Sequence, residues 1–167
     1  GCLSHAEDDA GISIEGVEFM EYPKECALIG KTFEETKKRF SDLKVMFHVA
    51  HNLFATAKPD TLFPDSRTIG ANGKQTDYGD GSISYYLNYF SKERVDEGYR
   101  WFIFYPTREN AFGVYMAKAI NYMVDSMGAT GVFADGFTHG YGGRFTYDRW
   151  DGHTAEIAST TKTVVRK

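Results

Sequence analysis

An α/β fold, with parallel strands covered by helices, is predicted by three features of this chain. Apolar runs too short for helices recur at Leu43 to Ala50, Arg100 to Tyr105 and Thr130 to Ala134. A strongly amphipathic helical pattern, Ala111 to Met127, fills the space between the last two. A second helical stretch precedes the first run. Helices that alternate with wholly apolar strands imply a parallel sheet whose faces are both covered. Neither an internal repeat nor a linker-like composition is visible, so one domain is expected over residues 1–167.

In chain order, Gly1 to Glu25 is polar, acidic and weakly periodic and reads as irregular. Within it the alternating stretch Ile12 to Phe19 suits an edge strand or hairpin arm. Thr32-Phe33-Glu34-Glu35 has the form of a capping box, so a short helix is expected to run to about Ser41 with Phe33 and Phe40 on its inner side. Leu43 to Ala50 then reads as a buried strand ending in His51-Asn52. Lys58 to Asp80 carries Pro59, Pro64 and several glycines and forms no regular element. An Asn72-Gly73 turn signal between short arms predicts a small excursion hairpin over Ser66 to Thr76. A loop of this length after a strand end reads as functional. Ser82 to Phe90 suits a short helix or turn.

Arg100 to Tyr105 is a clear strand halted by Pro106. Asn110 is placed to cap the helix that follows, whose Phe112, Met116, Ala119, Ile120, Met123 and Met127 share one face. Gly128 supplies a left-handed stop, and the Thr130 strand follows at once. Beyond Asp151 the signals weaken, with one strand expected at Thr163 to Val165.

Composition narrows the function classes. The net charge is -4, and no basic cluster is longer than Lys37-Lys38-Arg39, which excludes the usual footprint of a nucleic-acid binder. A small neutral substrate such as a sugar is easier to accommodate. Many of the 11 tyrosines and 13 phenylalanines fall in loop-like stretches, where aromatic faces serve as platforms for sugar rings, although most are expected to fill the core. Cys2 and Cys26 are too few for a disulfide framework, and a single bridge between them stays open. No stretch approaches the roughly 20 apolar residues of a membrane helix. Gly1-Cys2 leaves open a processed or lipid-modified amino terminus.

The stretch Thr130 to Asp151, TGVFADGFTHGYGGRFTYDRWD, draws the most attention. Its apolar strand stops at Asp135 and opens into a loop of glycines, aromatics and charges, the way an α/β protein presents a site at the carboxyl end of its sheet. YPTRENAFG (Tyr105 to Gly113), GVFADGF (Gly131 to Phe137) and YDRWDGHTAEI (Tyr147 to Ile157), preceded by KVMFHVAHN (Lys44 to Asn52) and DSRTIGANGKQTDYG (Asp65 to Gly79), resemble barrel-type bacterial glycoside hydrolases with a strand-end Asp in a GIYFDEF-like motif.

The similarity runs from about Lys31 onward. It implies a parallel-stranded (β/α) barrel or a partial TIM-like barrel that cleaves glycosidic bonds in a poly- or oligosaccharide, without a cofactor, in a secreted or periplasmic setting. A complete barrel needs roughly 200 to 250 residues. The missing strands are therefore expected from another segment or a second chain, which would also cover an otherwise exposed apolar edge. The alternative is a non-catalytic carbohydrate-binding or assembly module derived from a barrel fragment.

Glycoside hydrolysis generally needs two carboxyl groups flanking the scissile bond. Asp135 is followed by Gly136 rather than a second acid, so its partner must come from elsewhere. Glu109, near the end of the preceding strand, is the expected partner, although a carboxylate ahead of a helix also serves first-turn electrostatics. Asp148 and Asp151 flank Trp150 in a loop that suits either sugar binding, with the indole as a stacking platform, or a salt-bridged lock. His51, Tyr105, Arg108, His139, Tyr141 and His153 complete the expected substrate contacts. No metal is expected: HExxH spacing is missing, and strand alternation points His48 and His51 to opposite faces. His48 reads as a core or interface histidine. Gly140, Gly142 and Gly143 are not followed by a capped helix or a Walker Lys-Ser/Thr pair, so the pattern gives little support to a phosphate cradle, and a Ser or Cys nucleophile has no GxSxG elbow.

Overall fold

The fold is given by a computed structural model that describes residues 17–79, 81–135, 146, 148–149 and 155–166. A 3-10 turn at Val17–Glu21 leads directly into α1 (Pro23–Arg39). Proline begins this helix, where its missing N–H would have had no partner anyway. The expected start at Thr32 is thus corrected: Thr32 lies inside α1, and its hydroxyl donates to the Leu28 carbonyl at 3.0 Å. A hydroxyl in that position bonds back along its own helix instead of capping it. Phe33 is buried as expected, whereas Phe40 sits just past the last turn and is 53% exposed. Phe19, within the stretch read as irregular, is wholly buried.

β1 (Met46–Ala50) pairs in parallel with β4 (Gly131–Asp135), with Phe47 opposite Val132, His48 opposite Phe133 and Ala50 opposite Asp135. Parallel pairing of these two runs agrees with the sequence reading. The third run does not join them. β3 (Arg100–Ile103) is antiparallel to β2 (Leu53–Thr56), a short strand not anticipated from sequence. The loop between β2 and β3 returns onto β3: Thr68 N–H donates to Ile103 O, Ile103 N–H to Thr76 O and Tyr78 N–H to Trp101 O. Its tip is the expected hairpin, with a bridge between Ile69 and Gln75 and Gly73 at φ 75°. β5 (Glu156–Ile157) and β6 (Val164–Arg166) form a further antiparallel pair, the latter near the expected strand.

This topology overturns the (β/α) barrel, whole or partial. A barrel needs one ladder that closes on itself. Among the described residues the strands form separate two-stranded sheets, and one of these pairs is parallel. The cause lies at His51-Asn52, where the chain turns directly from β1 into β2. β3 is then occupied by β2 and by the excursion loop, and its ladder groups are spent on antiparallel partners. The chain is a mixed α and β fold of small sheets, and the expectation of strands donated to complete a barrel loses its basis.

Helices between and after these strands follow local signals. Ser82 and Ser91 cap the short α2 (Ile83–Tyr86) and α3 (Lys92–Asp96). α4 (Ala111–Asn121) runs on into a π-helical turn at Tyr122–Ser126, and Gly128 at φ 74° ends it. Asn110 caps α4 as expected: its Oδ1 accepts from Gly113 N at 2.9 Å and Thr107 N at 3.0 Å, while its Nδ2 donates to Tyr105 O at 2.8 Å.

Two apolar clusters sit on opposite sides of the β2–β3 pair. Phe54 and Phe104 face Phe19, Phe33, Phe47, Val49, Phe112 and Met123, whereas Leu53, Ala55, Trp101 and Ile103 face Tyr86, Phe90 and Val95. Strand alternation sends successive side chains to the two cores. β4 departs from the fully buried strand that was expected: Val132 packs on the first cluster, but Phe133 on the other face is 48% exposed.

Candidate functional site

Asp135 is the last residue of β4, at the carboxyl end of the parallel pair. Its side chain is 60% exposed, and its Oδ2 lies 3.4 Å from Nε2 of His48 on the neighbouring strand. His48 and Asp135 occupy the same face, because Ala50 and not His48 is the register partner of Asp135 and alternate residues share a side. Phe133 stacks on the imidazole, with centroids 5.7 Å apart and planes inclined by 23°. His51, just beyond β1, donates from Nδ1 to the backbone carbonyl of Asp135 at 2.9 Å. Strand alternation set the two histidines on opposite faces, yet both converge on Asp135. The reason is that His51 lies in the turn, where alternation no longer applies.

A second polar cluster holds the amino end of α4. Asp65 accepts from Ala111 N at 3.0 Å and from the Ser66 hydroxyl at 2.8 Å, and the Ser66 hydroxyl in turn accepts from Phe112 N at 3.1 Å. Together with the positive helix terminus this favours the ionised carboxylate. The Ser66 hydroxyl is the largest cause that holds the Asp65 carboxyl below its ordinary range. Arg149 spans the same region: Nη1 donates to Asp65 O at 2.7 Å and to the Tyr105 hydroxyl at 2.6 Å, and Nη2 donates to Arg67 O at 3.3 Å. The guanidinium also lies over the Tyr105 ring at 5.1 Å. Asp148 accepts from Thr146 Oγ1 at 2.5 Å and lies 3.4 Å from Arg149 Nη2. Burial acts to raise its carboxyl, but the Thr146 hydroxyl and Arg149 outweigh it, and the group stays below its ordinary range.

The residues expected at the site thus separate into groups. Asp135 and His51 come together. Tyr105 and Asp148 belong to the Arg149 cluster, Tyr105 through its hydroxyl and Asp148 through its carboxylate. Arg108 and Glu109 are exposed on the turn ahead of α4, which β3 feeds, and β3 shares no sheet with Asp135. His139, Tyr141, Trp150, Asp151 and His153 lie outside the described residues. Sequence reasoning passed over His48, Asp65 and Arg149 as site-forming groups; the contact of His48 with Asp135 follows from the register of β1 on β4, which carries no local signal.

Among the described residues no group of three His, Cys, Asp or Glu side chains is placed to hold a metal ion, and no helix is long and apolar enough to cross a membrane. A groove of about 630 Å³ lined by Arg39, Phe40, Ser41, Asp42 and Leu43 lies at the end of α1 and contains none of the candidate residues. Comparison with protein-family models, curated proteins and solved structures finds no match to this chain.

Proposed function

We propose that the chain is a carbohydrate-active hydrolase that cleaves glycosidic bonds in a poly- or oligosaccharide, with Asp135 as its essential carboxylate. The observation that carries the proposal is the position of Asp135: an exposed acid at the carboxyl end of a parallel strand pair, its backbone pinned by His51 and its side chain beside His48. Strand-borne carboxylates held in this way stabilise developing positive charge or attack an anomeric carbon without reorganising first. The substrate class comes from the resemblance of the segments around Asp135, Tyr105 and Lys44 to glycoside hydrolases. Gly136 next in sequence leaves the neighbouring backbone without a side chain to obstruct a sugar ring. Glu109 is proposed separately as the second carboxylate.

A specific observation favours a second reading, the non-catalytic glycan binder. Tyr78, Tyr85 and Tyr89 are half-buried and fan around the buried Trp101, with Tyr85 5.8 Å from Tyr78 and 5.2 Å from Tyr89. Phenol faces that are part wet and part packed are suited to sugar stacking.

Hydrolysis of a polysaccharide panel by the native chain, Asp135→Asn and Glu109→Gln separates the readings. Asp135→Asn removes charge while keeping size, and it should lower turnover roughly 10³-fold or more with the fold intact. Equal activity in native chain and Asp135→Asn removes Asp135 from the mechanism. Glycan retention without hydrolysis in either moves the conclusion to the binding module.

A further inference from the structure

We infer that His48 is a positioning residue for Asp135, held as the tautomer that carries its proton on Nε2 and directs it at the carboxylate; this assignment rests on the reading of Asp135 as the working acid. The two ring nitrogens stand in different surroundings. Nε2 lies 3.4 Å from Asp135 Oδ2, whereas Nδ1 is buried and has no hydrogen-bond partner among the described residues. A proton on Nδ1 would be a buried donor with nothing to receive it, and it would leave the Nε2 lone pair facing a carboxylate. A proton on Nε2 removes both faults at once.

The same geometry decides which group meets substrate. The His48 side chain is 19% exposed and its second nitrogen is inside the protein, so the ring offers no free nitrogen to a ligand. Asp135, at 60% exposed, does face solvent. His48 therefore acts through Asp135, fixing Oδ2 while the carboxylate addresses the substrate. Phe133 holds the ring in plane from the outer face of β4, and register supplies the rest: His48 lies opposite Phe133, and Asp135 is two residues further along the same strand. At 3.4 Å the contact is longer than a tight charge-assisted hydrogen bond.

Two measurements test this. Long-range proton–nitrogen NMR of the chain with labelled histidine reports the tautomer of each of its 5 histidines, with His48 identified by its loss in His48→Gln. The expected result is a protonated Nε2 and a bare Nδ1 at His48, with the Nε2 signal displaced in Asp135→Asn. A proton on Nδ1, or a His48 signal indifferent to Asp135→Asn, overturns the inference. Kinetics on any glycan the native chain cleaves adds the functional arm. His48→Gln retains an N–H donor and should hold kcat within about tenfold, whereas His48→Phe retains only a ring and should lower kcat roughly 10- to 100-fold at nearly constant KM. Equal loss in the two variants also overturns the inference. A native chain that cleaves no glycan removes the glycosidase reading alone, and the NMR arm still decides the role of His48.

Discussion

Asn110 shows how much a single side chain can be asked to do. It is 7% exposed and uses both amide atoms, accepting two N–H groups through Oδ1 and donating to Tyr105 O through Nδ2. Asn110→Ala deletes the cap and strands buried partners, so a stability loss of about 2 kcal/mol or more is expected, read as a lowered urea midpoint at constant slope. Asn110→Asp, which keeps the acceptor and loses the donor to Tyr105 O, should fall between the two. Cys26 is a different case. Its thiol is 2% exposed and donates to Phe19 O at 3.0 Å, and burial, aided by Glu25, pushes it from 9.0 up to about 11.

An acid whose folded pKa is raised keeps its proton in the native state after the unfolded chain has lost it. Its contribution is fully present below pH 9 and is lost as pH rises toward 11. The loss is on the order of 2 kcal/mol, and it should appear as an extra fall in urea midpoint between those pH values that Cys26→Ala lacks. Identical pH profiles for the two chains would refute it.

At the scale of elements, the excursion loop is held by its own backbone bonds to β3 and, at its base, by one guanidinium. Arg149 bonds Asp65 O, Arg67 O and the Tyr105 hydroxyl, and Asp65 in turn caps α4. Arg149→Met should release this junction. Amides of the loop about Arg67 and Thr68 are then expected to exchange at least tenfold faster, and the loss of stability should be roughly 1 to 3 kcal/mol. Amides of β1 and β4, which do not depend on the clamp, should keep their protection. Arg149→Lys should restore little, because one ammonium does not reproduce the planar fork. Acid acts on the same junction: the Asp65 carboxyl titrates lower in the folded chain, so its contribution is present above the ordinary carboxylate range and disappears as pH falls through the lowered value.

Across the whole molecule the β2–β3 pair divides two apolar clusters and belongs to both. Phe54 lies in one, and its neighbours Leu53 and Ala55 lie in the other. Trp101 is wholly buried in the second cluster, and Phe104, three residues on, is wholly buried in the first. Neither cluster can lose its packing without exposing the strands that the other packs on, so unfolding is expected to be a single cooperative transition. In Trp150→Phe, where Trp101 is the remaining indole, the fluorescence midpoint in urea should coincide with the midpoint from far-ultraviolet circular dichroism. Midpoints separated by more than error would show the two clusters to be independent units.

Features legible in the sequence were those set by near neighbours. Asn110 and Gly128 bound their helix because a side-chain acceptor and a left-handed stop act within a few residues. The Asn72-Gly73 turn, the apolar runs of β1, β3 and β4, and Asp135 at a strand end were visible for the same reason. Capping chemistry misled at Thr32, where Tyr22-Pro23 starts the helix earlier and packing of Phe33 carries it through. Which strands pair was decided only in three dimensions. An apolar run states that a segment wants burial on both sides, and parallel and antiparallel ladders satisfy that demand equally well. The turn at His51-Asn52 and the excursion loop gave β3 its antiparallel partners, which ruled out a barrel. Tertiary structure alone likewise brought His48 to Asp135 and Arg149 to Asp65, because such contacts depend on register between distant strands and loops, and no local pattern of residues encodes it.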